Sequence, residues 1–199
     1  MMDLAARLAT LRPKGKRLMV AIAGAPGSGK STLAADLASQ FEGGAVVPMD
    51  GFHLDNAVLE AGGLLPRKGA PETYDAAGFA AIMHRLATED SVAIPLFDRS
   101  RDLSIAGAAV IEAHHRILLV EGNYLLLDRA PWSDLTPLWD VTVWLDVPLP
   151  MLEARLVQRW LDHGLTPDAA KARALSNDIP NARLVCTASR APDLTIQSA

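Results

Sequence analysis

The sequence predicts an α/β protein: a three-layer α/β/α domain on a five-stranded parallel sheet, with a small hairpin and a helical lid. Three observations predict it. Short apolar runs alternate with segments of helical period along the whole chain, the pattern of a parallel sheet covered by helices. Several of those runs finish on a glycine or a carboxylate, and the carboxyl edge is where such sheets bind ligands. The first complete run leads straight into a glycine-rich segment, and a helical pattern follows it.

The elements follow in order. Leu4, Leu8 and Leu11 share one face of a short amphipathic helix. Strands are predicted at 17–23, 45–49, 116–121, 141–146 and 193–197, each short, apolar and bounded by turn or helix signals. Helices are predicted over 31–41, 55–61, 75–88, 148–163 and 167–186, with Pro180 interrupting the last. Gly62–Thr73, rich in Gly, Pro and basic residues, is predicted to be a loop. The runs at 92–97 and 108–113 are predicted to pair as a hairpin beside the main sheet. A single domain over 1–199 is expected, because 199 residues support one substantial core and no linker divides them.

Composition narrows the function. Half the residues are hydrophobic and 21% are charged, which excludes a disordered chain. The net charge of -4 argues against nucleic acid as a partner, because phosphate-backbone binders carry a basic excess. No apolar run is long enough to span a membrane, and the first residues lack the apolar core of a secretory signal. The single cysteine, Cys186, cannot form an internal disulfide. A cytoplasmic protein is expected, as a monomer or a homodimer, with Trp132, Trp139 and Trp160 more at home in a core than at an interface.

Gly24-Ala25-Pro26-Gly27-Ser28-Gly29-Lys30-Ser31 matches G-x-x-x-x-G-K-[ST], and Thr32 continues it into the helix. Glycines let successive N–H groups converge on an anion, and the helix start adds its positive dipole end. Lys30 is placed for the terminal phosphates of ATP and Ser31 for Mg²⁺. A guanine-reading N-K-x-D is absent, since none of the five lysines follows an asparagine. An L-S-G-G-Q-like signature is absent too, which leaves a small-molecule kinase.

The remaining charges suit that reading. Asp50 ends the second strand, where a carboxylate can take or orient the proton of an acceptor hydroxyl, or simply cap the next helix. Glu121 ends another strand and is the preferred metal carboxylate, with Gly122 leaving room beside it; Asp146 is its rival. Arg155 and Arg159 share a helix face suited to a lid closing on phosphates, or to solvent. Arg67, Lys68, Asp98 and Arg101 offer polar groups to an acceptor. His114 and His115 show no metal-ligand spacing.

Taken together, these motifs resemble the family of uridine kinases, type I pantothenate kinases and phosphoribulokinases. The matching segments are GAPGSGKS at 24–31, MDGFH at 49–53, RKGAPETYD at 67–75, PLFDRSRD at 95–102, LLVEGNYLL at 118–126 and the arginine helix at 155–159. The chain also looks like bacterial proteins labelled fructose transport system kinases, SNDIPNARLV at 176–185 included. The resemblance implies the P-loop NTPase fold with strand order 2-3-1-4-5 and a lid over about 150–185. It implies an ATP- and Mg²⁺-dependent transfer to a hydroxyl of a nucleoside, a pantothenate-like acceptor or a sugar. A non-catalytic ATP-binding regulator of sugar uptake is the alternative. Asp50 is implied as the base, Ser31 and Glu121 as metal ligands, and Arg155 and Arg159 as lid arginines. Acceptor contacts fall on His53, Tyr74, Asp98 and Arg101, and adenine contacts on the loop ending at Arg190. Asn177, with Asp178 and Asn181, forms a polar cluster placed to read substrate or nucleotide. The segment after Arg159 lacks the additional arginines usual in uridine kinases, which tells against a pyrimidine nucleoside.

Overall fold

The computed structural model describes residues 4–197. Five strands form one parallel sheet: β1 (Leu18–Ala23), β2 (Gly44–Pro48), β5 (Ile117–Gly122), β6 (Val141–Asp146) and β7 (Leu194–Gln197). Their order is β2-β5-β1-β6-β7, which is 2-3-1-4-5 when only these strands are counted. Burial follows position. Every residue of the central β1 and β5 is buried, whereas β6 and the edge strand β7 alternate. The uninterrupted apolar runs are therefore the strands with both faces covered.

Successive residues of β1 feed opposite layers. Leu18, Val20 and Ile22 pack with Ala34 and Leu37 of α2 (Lys30–Ala38) and with Leu8 of α1 (Leu4–Leu8). Met19, Ala21 and Ala23 pack with Phe79, Met83 and Leu86 of α4 (Ala76–Thr88) and with Trp132 and Trp139. Asp55 caps the short α3 (Asn56–Ala61), and Asp75 caps α4 by accepting from the Gly78 N–H. Two of the tryptophans thus lie in the core, as expected.

β3 (Val92–Asp98) and β4 (Leu103–Ile111) pair antiparallel as the separate hairpin. Its register shifts between Ile94 and Leu96, where Pro95 has no N–H for the ladder. β4 begins five residues before the predicted start, because Leu103, Ser104 and Ile105 find partners in β3 despite their mixed polarity.

The predicted lid region is helical: α5 (Leu149–Asp162), α6 (Pro167–Arg173) and α7 (Ile179–Ala188), the last two joined by a wide π turn over Ala174–Asp178. The predicted helix over 167–186 is therefore two helices in one path. The path does not break at Pro180: it sits in the first turn of α7, where its missing N–H is tolerated, and the wide turn precedes it.

Candidate active site

The three strand ends that carry the site are level. Glu121 of β5 stands in register with Ile22 of β1 on one side and Pro48 of β2 on the other. The loop after β1, the turn after β2 and the end of β5 therefore open on one edge. There they line a cleft of about 880 Å³, within the roughly 300–1,000 Å³ of small-molecule sites.

Gly27 and Gly29 hold φ of 80° and 95°, values that favour glycine, so the loop can fold back onto the start of α2. Lys30 is buried and donates to the Ala25 carbonyl at 3.1 Å and to Asn123 Oδ1 at 2.6 Å. Burial lowers its pKa, Glu121 and Asp50 pull it back up, and Arg159 and Arg99 lower it further. Glu121 is buried as well. Its pKa is raised by burial first, against the opposing pull of Lys30 and a hydrogen bond with Ser31. Asp146, the rival carboxylate, lies outside the cleft lining and accepts from Gln197 at 2.9 Å.

Gly122 lines the cleft and also serves packing. A Cβ there would lie 2.5 Å from Met49 Cβ, so its bareness admits Met49. Met49 opens the single helical turn that carries Asp50. Gly51 plays the matching part on the other side, since a Cβ on it would run into the Pro95 carbonyl oxygen of β3.

Asp50 is the hub of a second group of side chains in the cleft. Arg99 reaches its Oδ2 at 2.7 Å, the Tyr74 hydroxyl lies 3.4 Å from its Oδ1, and His53 Nε2 stands 4.0 Å from the same oxygen. Backbone pairing brings the two motifs together: Leu54 N–H donates to Thr73 O, and Asp75 N–H to Phe52 O. His53 stacks on Tyr74 with ring centroids 4.1 Å apart and lies 4.7 Å from Phe97. Burial above all drives the His53 pKa down to about 4, so the ring is neutral near pH 7. Burial likewise raises that of Tyr74 well above the usual phenol value, which keeps the hydroxyl a donor.

Helix α5 flanks the other side. Leu152 and Leu156 of α5 are buried, and Leu156 packs against Gly27. The Arg155 guanidinium lies over the loop carbonyls of Gly27 and Ser28, at 3.4 and 3.5 Å. Arg159 faces the cleft and pairs with Asp178 at 3.1 Å. Trp160 also faces the cleft, donating from Nε1 to Asp178 at 2.5 Å, with the guanidinium groups of Arg159 and Arg173 near its ring.

Of the sequence-predicted residues, the cleft lining brings together Pro26, Gly27, Gly29, Lys30, Ser31, Thr32, Asp50, His53, Tyr74, Glu121 and Arg159. Others fall outside it. Arg67 pairs with Glu72. Asp98 holds the hairpin turn by accepting from Ser100 and Arg101, and its ion pair is with Arg101. Arg190 binds Asp128 and Thr136. Asn177 donates to the Lys68 carbonyl at 2.8 Å and accepts from Asn181, so it ties the wide turn before α7 to the 67–75 segment. Sequence reasoning gave no role to Asn123, Arg99 or Asp102 and expected Trp160 in the core; all four are in the lining. The only signal for Arg99 and Asp102 was membership of the PLFDRSRD segment, in which the alternate residues had been chosen.

No family model matches the chain. The uncharacterized protein YggC of Escherichia coli K12 is 34% identical over 203 residues, covering 99% of this chain and 84% of that protein. A Schizosaccharomyces pombe protein provisionally named uridine kinase C227.14 is 34% identical over 196 residues, covering 92% of this chain and 83% of its own length. A crystal structure from Silicibacter sp. TM1040, of a protein provisionally named a fructose transport system kinase, superposes with a TM-score of 0.92. It is 55% identical and covers 98% of this chain and all of that one. With the phosphate loop, strand order and cleft in place, the chain belongs to the P-loop kinase family of uridine kinases, type I pantothenate kinases and phosphoribulokinases.

Proposed function

We propose that the protein transfers the γ-phosphoryl group of ATP to a hydroxyl of a small metabolite. The observation that carries the reading is the opposition, across one cleft, of the Lys30–Ser31 loop end and the Asp50 carboxylate. Asp50 orients the acceptor hydroxyl and accepts its proton. The hydroxyl oxygen forms the new bond to the γ-phosphorus as the bond to the β–γ bridging oxygen breaks, its electron pair leaving with ADP. Lys30 and Arg159 offset the charge that spreads over the transferring oxygens.

Glu121 and Ser31 fit Mg²⁺. Both offer hard oxygen atoms, and the buried Glu121 carboxylate lacks enough positive charge to hold its pKa down. Among the described residues no group of three or more His, Cys, Asp or Glu side chains could hold a metal. That suits an ion which takes most of its ligands from water and phosphate. When bound, Mg²⁺ supplies charge neutralisation at the β- and γ-phosphates.

The test is single-turnover transfer over a panel of nucleosides, hydroxy acids, sugars and sugar phosphates. The name of the Silicibacter protein is the reason to include sugars. Asp50→Asn is expected to lower transfer by about 10²- to 10⁴-fold while a fluorescent ATP analogue still binds. Transfer at the wild-type rate would remove Asp50 as the base. ATP bound with nothing phosphorylated would favour the regulator.

A further inference from the structure

The acceptor end presents two cations, and their situations differ. Lys68 Nζ has a full set of acceptors: Asn56 Oδ1 at 2.7 Å, Asp102 O at 2.8 Å and Asp102 Oδ1 at 2.9 Å. An ammonium has three N–H groups, so this one has none to offer a ligand. Its side chain is nearly buried and lies over the Phe97 ring, which fixes it further. Arg99 is placed otherwise. It stands on the β3–β4 turn with its side chain 67% exposed, and it spends a single N–H on Asp50. The rest of its planar fork is turned to the cleft and to solvent.

That single contact also obstructs the chemistry proposed for Asp50. A carboxylate oxygen held by a guanidinium at 2.7 Å is a weakened acceptor for a substrate proton. The other oxygen, Oδ1, is already approached by the Tyr74 hydroxyl at 3.4 Å and by His53 Nε2 at 4.0 Å, so Asp50 gains its full strength as a proton acceptor when Arg99 leaves Oδ2. The exposed pair is cheap to break, and a second anion arriving beside it would draw the guanidinium across with its charge still answered. A neutral acceptor offers no such exchange.

We infer that Arg99 binds the acceptor, that the acceptor carries an anionic group, phosphate or carboxylate, besides its reacting hydroxyl, and that its arrival frees Asp50. The inference rests on the kinase reading above and narrows it to one substrate class. Arg99 is then a binding residue whose partner changes between the resting and the loaded enzyme. Lys30 and Arg159 line the phosphate-loop side of the cleft, and Arg173 is engaged by the Pro66 carbonyl and the Trp160 ring, so Arg99 is left for the acceptor.

The test uses the full chain and its Arg99→Gln and Arg99→Lys variants at constant ionic strength. Acceptor-free MgATP hydrolysis is measured first, with and without acetate or inorganic phosphate as the anion probe. Either anion is expected to stimulate the wild type, while R99Q hydrolyses faster than wild type without an anion and does not respond. Transfer is then compared between glycerol and glycerate, and between ribose and ribose 5-phosphate; the two pairs separate carboxylate from phosphate. The anionic member is expected to be preferred, with R99Q losing about 10- to 100-fold in kcat/KM for it and R99K losing less. Equal hydrolysis in all proteins with no anion effect would overturn the inference. So would preferred transfer to the neutral members, unaffected by R99Q, although the kinase reading would survive. A rise in the KM for MgATP in place of the acceptor effect would assign Arg99 to the nucleotide and likewise overturn it. MgATP bound without turnover to water or to any acceptor, in every protein, would defeat the kinase reading and the inference together.

Discussion

At the scale of single residues, His53 shows what burial does to chemistry. Its Nδ1 has no hydrogen-bond partner among the described residues, and its Nε2 faces Asp50. The ring is held neutral, with its pKa at about 4 against an ordinary 6.5. The unfolded chain therefore binds a proton here between those values that the folded chain refuses. Stability is lost as pH falls from 6.5 toward 4, with a ceiling of about 3 kcal/mol from this one group. His53→Phe keeps an aromatic stack on Tyr74 and removes the titration. It is expected to show a shallower fall in urea midpoint over that window than the wild type. Identical slopes would mean that His53 is not desolvated.

At the scale of elements, the site depends on close approaches that side chains would block. Gly122→Ala places a methyl group against Met49, at a typical cost of about 1–3 kcal/mol. It also displaces the turn that presents Asp50. Transfer is expected to fall while affinity for the ATP analogue holds, because the phosphate loop belongs to β1 and α2. Equal losses in both would place the damage elsewhere. Arg17 joins elements at the opposite edge of the sheet. It is fully buried and donates to the carbonyls of Leu86, Glu89, Asp90, Glu112 and His115. It thereby ties the end of α4 to the start of β3 and the turn after β4. Arg17→Met strands those carbonyls, each worth about 1–3 kcal/mol when left unpaired and buried. A large drop in urea midpoint is expected, with little change in KM for MgATP once folded.

At the scale of the whole molecule, the 167–188 helices and the 62–73 loop are joined on one side of the cleft. Asn177 on the wide turn holds the Lys68 carbonyl, and Arg173 reaches the Pro66 carbonyl at 3.3 Å. Arg159 rests on Asp178 through one nitrogen, and a phosphate drawn to its remaining N–H groups would compete with that pair. The guanidinium groups of Arg159 and Arg173 lie 5.5 and 5.0 Å from the Trp160 ring, which shares Asp178 with Arg159. Saturating MgATP is therefore expected to change its fluorescence, and Trp160→Phe to abolish the change, since Trp132 and Trp139 lie in the core and Trp144 packs against it outside the cleft lining. An unchanged spectrum in the wild type would show that nucleotide binding leaves the Arg159–Asp178 pair in place.

The sequence by itself determined the layers, the strand ends and the phosphate loop. Each depends on local information: apolar runs buried on both faces, and a glycine pattern that only one backbone path satisfies. Asp50, Glu121 and Lys30 were legible for the same reason, because position at a strand end or on the loop already commits a residue to the ligand edge. Only the tertiary structure decided which polar side chains face the cleft. In the hairpin turn Asp98 and Arg101 satisfy one another, while Arg99 and Asp102 point toward the substrate side. Arg67 and Lys68 divide in the same way. Composition is identical for both choices; the Asx turn and the crossing of β3 over Gly51 make the selection. Loop side chains take their direction from long-range partners, and spacing along the chain carries no record of those.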